Sequence, residues 1–74
     1  EEGSYTSFLF ARGIDKIAKK TGEEAVELVI ASKNEDKGEV IGEAADFLYH
    51  MMVLLAEKGV KLSEVCSELY KRNK

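Results

Sequence analysis

Apolar residues recur along this chain every three or four positions, and the runs are interrupted at Gly13, at Asn34-Glu35-Asp36-Lys37-Gly38 and at Gly59. The first run, Tyr5-Thr6-Ser7-Phe8-Leu9-Phe10-Ala11-Arg12, predicts a short helix capped by Ser4 or Thr6 and ended by Gly13. The second predicts a helix from Ile14 to Lys33, with Asp15 near its start and Ile14, Ile17, Ala18, Thr21, Ala25, Leu28, Val29 and Ser32 on one face. Gly22 weakens that helix by up to ~1 kcal/mol relative to alanine. It can also mark a break, with Thr21 capping a new segment and Glu24 completing a capping box.

The third helix is expected from Glu35 or Lys37 to Lys58. Its apolar positions, Val40, Ile41, Ala44, Phe47, Leu48, Met51, Met52, Leu54 and Leu55, span an arc too wide for one neighbour, so two or more packing partners are expected. Gly59 is the predicted stop, and Leu62 to Arg72 forms a fourth helix with Val65, Leu69 and Cys66 inward. The basic end Lys71-Arg72-Asn73-Lys74 complements its dipole. No repeat or linker divides the chain, so residues 1–74 read as one all-α domain, a bundle of about four helices.

Composition agrees with helices and adds the expectation of a partner. Proline is absent, 45% of residues are hydrophobic and 34% are charged. A chain of 74 residues is small enough to bury only about 60% of its unfolded surface. A homodimer or higher homo-oligomer is therefore expected. The net charge of −3 argues against nucleic-acid binding. No apolar run approaches the roughly 18 residues of a membrane span, and Glu1-Glu2-Gly3 is unlike a signal peptide. The single cysteine, Cys66, excludes an intrachain disulfide, reads as structural, and suits a reducing cytoplasm.

The acidic residues fit this scheme least well. On the second helix Glu23, Glu24 and Glu27 fall within about 100° of one another, and Lys16 and Lys20 lie within about 20° of Glu27. On the third, Glu35, Glu39, Glu43, Asp46 and His50 share a narrow stripe, and Asp46 stands among residues apolar on almost every side. Glu24 and Glu27, facing Glu43 and Asp46, would supply four hard oxygen donors suited to Mg2+. Spacing leaves a second reading open, in which these carboxylates only make ion pairs, for example Glu23 or Glu24 with Lys19 or Lys20. A di-iron bundle would need Glu-x-x-His motifs, and none occurs. His50 reads as a packed or hydrogen-bonded core residue. Phe8, Phe10, Phe47, Met51 and Met52 read as core or subunit interface rather than a nucleobase pocket.

Three segments carry a family resemblance: Gly3-Ser4-Tyr5-Thr6, then Gly13-Ile14-Asp15-Lys16-Ile17-Ala18-Lys19-Lys20-Thr21-Gly22-Glu23-Glu24, then Ala44-Ala45-Asp46-Phe47-Leu48-Tyr49-His50. In this order they resemble the phosphoribosyl-ATP pyrophosphohydrolases over nearly the whole chain. More broadly, Glu23-Glu24-x-x-Glu27 followed by Glu43-x-x-Asp46 looks like the signature of the all-α nucleoside triphosphate pyrophosphohydrolases. The resemblance implies hydrolysis of phosphoribosyl-ATP to phosphoribosyl-AMP and pyrophosphate in histidine biosynthesis, with Mg2+ as cofactor and Mn2+ as its substitute. It implies Glu24, Glu27, Glu43 and Asp46 as metal ligands and Glu23 as a ligand or water-orienting base. Lys16, Lys19 or Lys20 is expected to contact phosphates as a cationic neighbour of the metal face, and Ser4, Tyr5 and Thr6 are candidates for substrate hydrogen bonds.

The resemblance also implies helical dimers. Family members carry a further helical stretch before the Gly-Ser-Tyr-Thr segment, where this chain has only Glu1-Glu2. Two other functions compete: a house-cleaning enzyme acting on other nucleoside triphosphates, and a non-catalytic helical dimerisation module.

Overall fold

In the computed structural model, which describes residues 3–73, four helices follow one another: α1 (Tyr5–Arg12), α2 (Ile14–Ala31), α3 (Lys37–Glu57) and α4 (Leu62–Arg72). No strand occurs among the described residues, so the chain is all-α as expected. None of these helices is long and apolar enough to cross a membrane. Glu1, Glu2 and Lys74 lie outside the described residues, and with them part of the signal-peptide and basic-terminus readings.

Local chemistry sets most of the boundaries. Ser4 caps α1: its Oγ accepts a hydrogen bond from the Ser7 N–H at 3.0 Å. Gly13 ends α1, donating its N–H to the Leu9 carbonyl, and starts α2, accepting from Ile17. Its φ of 90° with ψ of −176° is a conformation reserved almost entirely for glycine, and it lets two helices meet at a single residue.

The α2 helix runs straight through Gly22, as the single-helix reading of this segment expected, and the alternative of a break there does not occur. Thr21 does not cap a new segment. Its hydroxyl lies 2.9 Å from the Ile17 carbonyl, one turn back, and 3.2 Å from the His50 carbonyl on α3. The helix stops at Ala31, two residues before the expected Lys33, because Lys33 and Asn34 donate to carbonyls three residues back and tighten the chain into a turn.

Asp36 caps α3 by accepting from the Glu39 N–H at 3.2 Å. At the far end Gly59 takes a left-handed φ of 71°, while Val60 donates to Leu55 and Gly59 to Ala56, the paired bonds of a Schellman motif. Glu64 starts α4 by accepting from the Lys61 N–H at 2.8 Å.

The contacts run antiparallel: Thr21 on α2 meets His50 on α3, and three residues later Glu24 meets Asp46 and Glu43. This α2–α3 hairpin is the body of the protomer, and α1 packs across both helices. The core is small. Leu9, Ile17 and Val53 cluster with Leu54 packed against them, and Ala31 and His50 are the other buried residues described.

Much of the apolar arc on α3 stays open, including Ile41, Leu48 and Met52, so α1 and α2 cover only part of it. On α2, Ile14, Ala18, Val29 and Ser32 were expected on the packed face and are exposed. The inward placement of α4 residues is also corrected. Val65 is half-buried, but Leu69 is 54% exposed and Cys66 is exposed, because α4 has no buried residue within the protomer.

Candidate functional site

Antiparallel pairing brings the two acidic segments to one height. Glu24 from α2 and Glu43 and Asp46 from α3 each offer a carboxylate oxygen, and these oxygens all lie within 4.8 Å of one another. The i, i+3 spacing of Glu43 and Asp46 puts both on one side of α3, and α2 supplies the third group across the helix contact.

Burial and crowded like charge both act on Glu43. Desolvation first, then the negative charges of Glu27, Asp46, Glu24 and Glu39, push its carboxyl above the usual glutamate range. Three hard oxygen donors with this repulsion form a set that a hard dication would neutralise, so the residues fit Mg2+.

Glu27 is exposed and outside the three-oxygen group, and its negative charge is one of those that raise the Glu43 carboxyl. Asp46 is exposed as well. The apolar residues around it in sequence point elsewhere on α3, which corrects the expectation that its carboxylate is enclosed.

One lysine joins the group. Nζ of Lys20 lies 3.6 Å from Oε1 of Glu23 and 3.6 Å from Oε2 of Glu24, whose side chain is only 15% exposed. Desolvation works to lower the Lys20 pKa, but Tyr5, Glu23 and Glu24 together outweigh it and hold the ammonium above its usual value. Glu23 thus faces Lys20 rather than the three-oxygen group. Lys16, half-buried, and Lys19, exposed, make no ion pair among the described residues.

The segment Ser4-Tyr5-Thr6 is brought against α3 one turn beyond Asp46. The Tyr5 hydroxyl is 3.0 Å from Nε2 of His50, and the Thr6 hydroxyl is hydrogen-bonded to that of Tyr49. Ser4 is committed to capping α1. All three hydroxyls therefore have protein partners.

His50 is buried, as a hydrogen-bonded core histidine should be, and its Nδ1 lies 2.8 Å from the Asp46 carbonyl. Tyr5, Tyr49 and His50 also contact one another through their rings, and Tyr49 was not singled out from the sequence. Its signal was faint: a tyrosine three residues after Asp46, on the same side of α3.

A groove of about 340 Å3 lies elsewhere, along α4, lined by Val60, Val65 and Leu69 with Glu64, Glu68 and Arg72 at its rim. It holds none of the carboxylates described above.

Comparison with known proteins bears on this arrangement. Residues 1–73 match the family model described as phosphoribosyl-ATP pyrophosphohydrolase. The chain is similar to a phosphoribosyl-ATP pyrophosphatase of Streptococcus gordonii, 60% identical over 72 residues, covering 97% of this chain and 69% of that protein. It is similar to one of Clostridium novyi, 53% identical over 74 residues, covering 100% and 67%. A histidine biosynthesis bifunctional protein HisIE of Caldanaerobacter subterraneus subsp. tengcongensis is 58% identical over 73 residues, covering 99% of this chain but 36% of that protein. The chain thus spans about a third of the length of the bifunctional relatives it matches.

Proposed function

Because the chain belongs to the phosphoribosyl-ATP pyrophosphohydrolase family, we propose that it hydrolyses phosphoribosyl-ATP to phosphoribosyl-AMP and pyrophosphate in histidine biosynthesis, with Mg2+ as cofactor and Mn2+ able to replace it. The observation that carries the reading is the convergence of Glu24, Glu43 and Asp46 within 4.8 Å, with Lys20 paired to Glu24 at its edge. A purely structural ion-pair network would balance its carboxylates with cations. Here Lys20 pairs with Glu24 alone of the trio, sharing its charge with Glu23, and desolvation together with like charge raises the Glu43 carboxyl above its ordinary range.

In this mechanism Glu24, Glu27, Glu43 and Asp46 hold the cation. When bound, it supplies positive charge that offsets the triphosphate and steadies charge on the transferring phosphoryl group. Lys20, with Lys16 and Lys19 earlier on the same helix, binds phosphate oxygens. Glu23 orients the attacking water and takes its proton. The water oxygen bonds to the phosphorus beside the departing pyrophosphate, the bridging P–O bond breaks, and pyrophosphate leaves with the electron pair. Ser4, Tyr5 and Thr6 border the site and are the substrate-binding residues of this segment.

The protein acts in the cytoplasm as a homodimer or larger homo-oligomer. Support for association is the extent of exposed apolar side chain on every helix, including Phe8, Phe10, Val29, Ile30, Ile41, Leu48, Met52 and Leu69, over so small a core. Pyrophosphate release from phosphoribosyl-ATP, compared with release from a panel of ordinary nucleoside triphosphates, tests the substrate assignment. A preference for phosphoribosyl-ATP is expected. Equal or better turnover of the other nucleotides would transfer the reading to a house-cleaning enzyme.

A further inference from the structure

The bond between Tyr5 and His50 joins residues 45 positions apart in sequence, and it is made at the edge of the carboxylate cluster. Its direction follows from chemistry. Nδ1 of His50 lies 2.8 Å from the backbone carbonyl of Asp46, an atom that can only accept, so Nδ1 carries the proton. In the neutral ring Nε2 is then the acceptor, and the Tyr5 hydroxyl donates to it at 3.0 Å. Tyr5 and Tyr49 also meet the imidazole edge-on, with ring centres 5.7 and 5.1 Å away, and the backbone carbonyl of His50 lies 3.2 Å from the Thr21 hydroxyl on α2.

A buried ring with both nitrogens engaged is stiff, and it ties three helices together at one point. The backbone carbonyl of His50 meets α2, the ring Nδ1 returns to the α3 turn that bears Asp46, and the ring Nε2 holds the first residue of α1. Tyr5 itself is 45% exposed, and Leu9 is the one residue that α1 buries. The apolar contact holding the N-terminal end of α1 is therefore slight, and hydrogen bonds there carry unusual weight.

We propose that His50 is a positioning residue: through its bond to Tyr5 it anchors the start of α1, and so the Ser4-Tyr5-Thr6 edge, beside Asp46. This role rests on the reading of the carboxylate cluster as the reaction site. His50 does not touch substrate. It sets where Tyr5 stands, one helical turn from Asp46.

The two nitrogens can be separated by substitution. In His50→Asn the amide reaches the Asp46 carbonyl in place of Nδ1 but falls short of Tyr5. In His50→Gln the amide oxygen reaches the position of Nε2 and still accepts from Tyr5. Tyr5→Phe removes the donor and leaves the ring. Hydrogen exchange of the α1 amides and steady-state hydrolysis of phosphoribosyl-ATP with Mg2+ are measured for the wild-type chain, the three variants, and the Tyr5→Phe/His50→Asn double variant.

Exchange in α1 is expected to speed by about tenfold in Tyr5→Phe and in His50→Asn, no further in the double variant, and by less than about threefold in His50→Gln. KM is expected to rise about tenfold in the same pattern, with kcat within about twofold. Additive effects in the double variant, a His50→Gln chain as loose as His50→Asn, or unchanged exchange in Tyr5→Phe would overturn the anchor. An unchanged KM alongside loosened exchange would overturn its role at the site. If wild-type protein does not hydrolyse phosphoribosyl-ATP, the functional reading falls, while the exchange pattern still decides the anchor.

Discussion

Nζ of Lys20 stands 3.6 Å from Oε2 of Glu24, so a cation of the protein already occupies the flank of the carboxylate that α2 contributes to the three-oxygen group. The same lysine reaches Glu23 at an equal distance, dividing its charge between a carboxylate inside the group and one outside it. A dication held by Glu24, Glu43 and Asp46 would weaken the hold of Glu24 on Lys20 and free the ammonium to meet a phosphate.

In the proposed mechanism Lys20 is thereby separable from the carboxylates that would hold the metal. Lys20→Met should lower kcat/KM for phosphoribosyl-ATP by about 10- to 100-fold, the usual worth of one hydrogen bond to a charged group. Mn2+ affinity, followed by titration calorimetry, should stay the same or rise, because a competing positive charge is gone. Lost Mn2+ binding in Lys20→Met would show that the lysine organises the cluster rather than serving the substrate.

The crowding at Glu43 predicts a stability change of definite sign. Its folded-state pKa is raised by desolvation and by Glu27, Asp46, Glu24 and Glu39. The folded chain therefore takes up this proton more readily than the unfolded chain. The stabilising contribution is complete below the unfolded value, about 4.3, and is lost as pH rises through the higher folded value. With a chelator present, Glu43→Gln should melt higher than wild type near neutral pH, and the gap should close as pH falls toward the ordinary glutamate range. A gap independent of pH would remove the crowding argument. The same variant should lose most of the rise in Tm that Mn2+ gives wild type.

Two glycines should respond to alanine in opposite directions. At Gly13, φ of 90° disfavours any side chain, and Gly13→Ala should cost about 1–3 kcal/mol. Gly22 lies inside α2, where an added methyl group would meet nothing within 4 Å, so Gly22→Ala should stabilise by up to about 1 kcal/mol. For a chain this small each kcal/mol moves Tm by about 4–8 °C, which thermal circular dichroism resolves. Stabilisation by Gly13→Ala would contradict the single-residue junction between α1 and α2.

These two positions also show what the sequence could and could not convey. Gly13, Gly59, Ser4 and Asp36 act through their own backbone or side chain, and the ends of α1 and α4 were legible residue for residue. The register of the acidic residues was legible too, since the i, i+3 spacing survives in any helix and Glu24, Glu43 and Asp46 do converge. The continuous helix through Gly22 follows the primary reading of Ile14 to Lys33, and the alternative of a break there is excluded by contacts of Thr21. Thr21 bonds to the Ile17 and His50 carbonyls instead of capping.

Tertiary placement accounts for the differences. Neighbours in sequence suggested that Asp46 was enclosed, whereas α2 and α1 leave its side of α3 open. Leu69 and Cys66 fit an inward stripe on α4, but the protomer supplies no surface to receive that helix. The Tyr5–His50 bond had no local signal at all.

The open apolar faces predict association. Analytical ultracentrifugation at micromolar concentrations should return a dimer or larger species. A monomer that is nonetheless fully folded would contradict the subunit reading and require α4 and the outer face of α3 to be stable in water.

Hydrolysis of phosphoribosyl-ATP, measured with Mg2+ and again after chelation, is the decisive experiment for the carboxylate site. Pyrophosphate and phosphoribosyl-AMP are expected in equal amounts with Mg2+, with loss of turnover after chelation, recovery when metal is restored, and no turnover in Asp46→Asn even with metal present. Turnover that survives both chelation and Asp46→Asn would contradict the carboxylate site, and no turnover from folded wild-type chain with Mg2+ would contradict the activity itself.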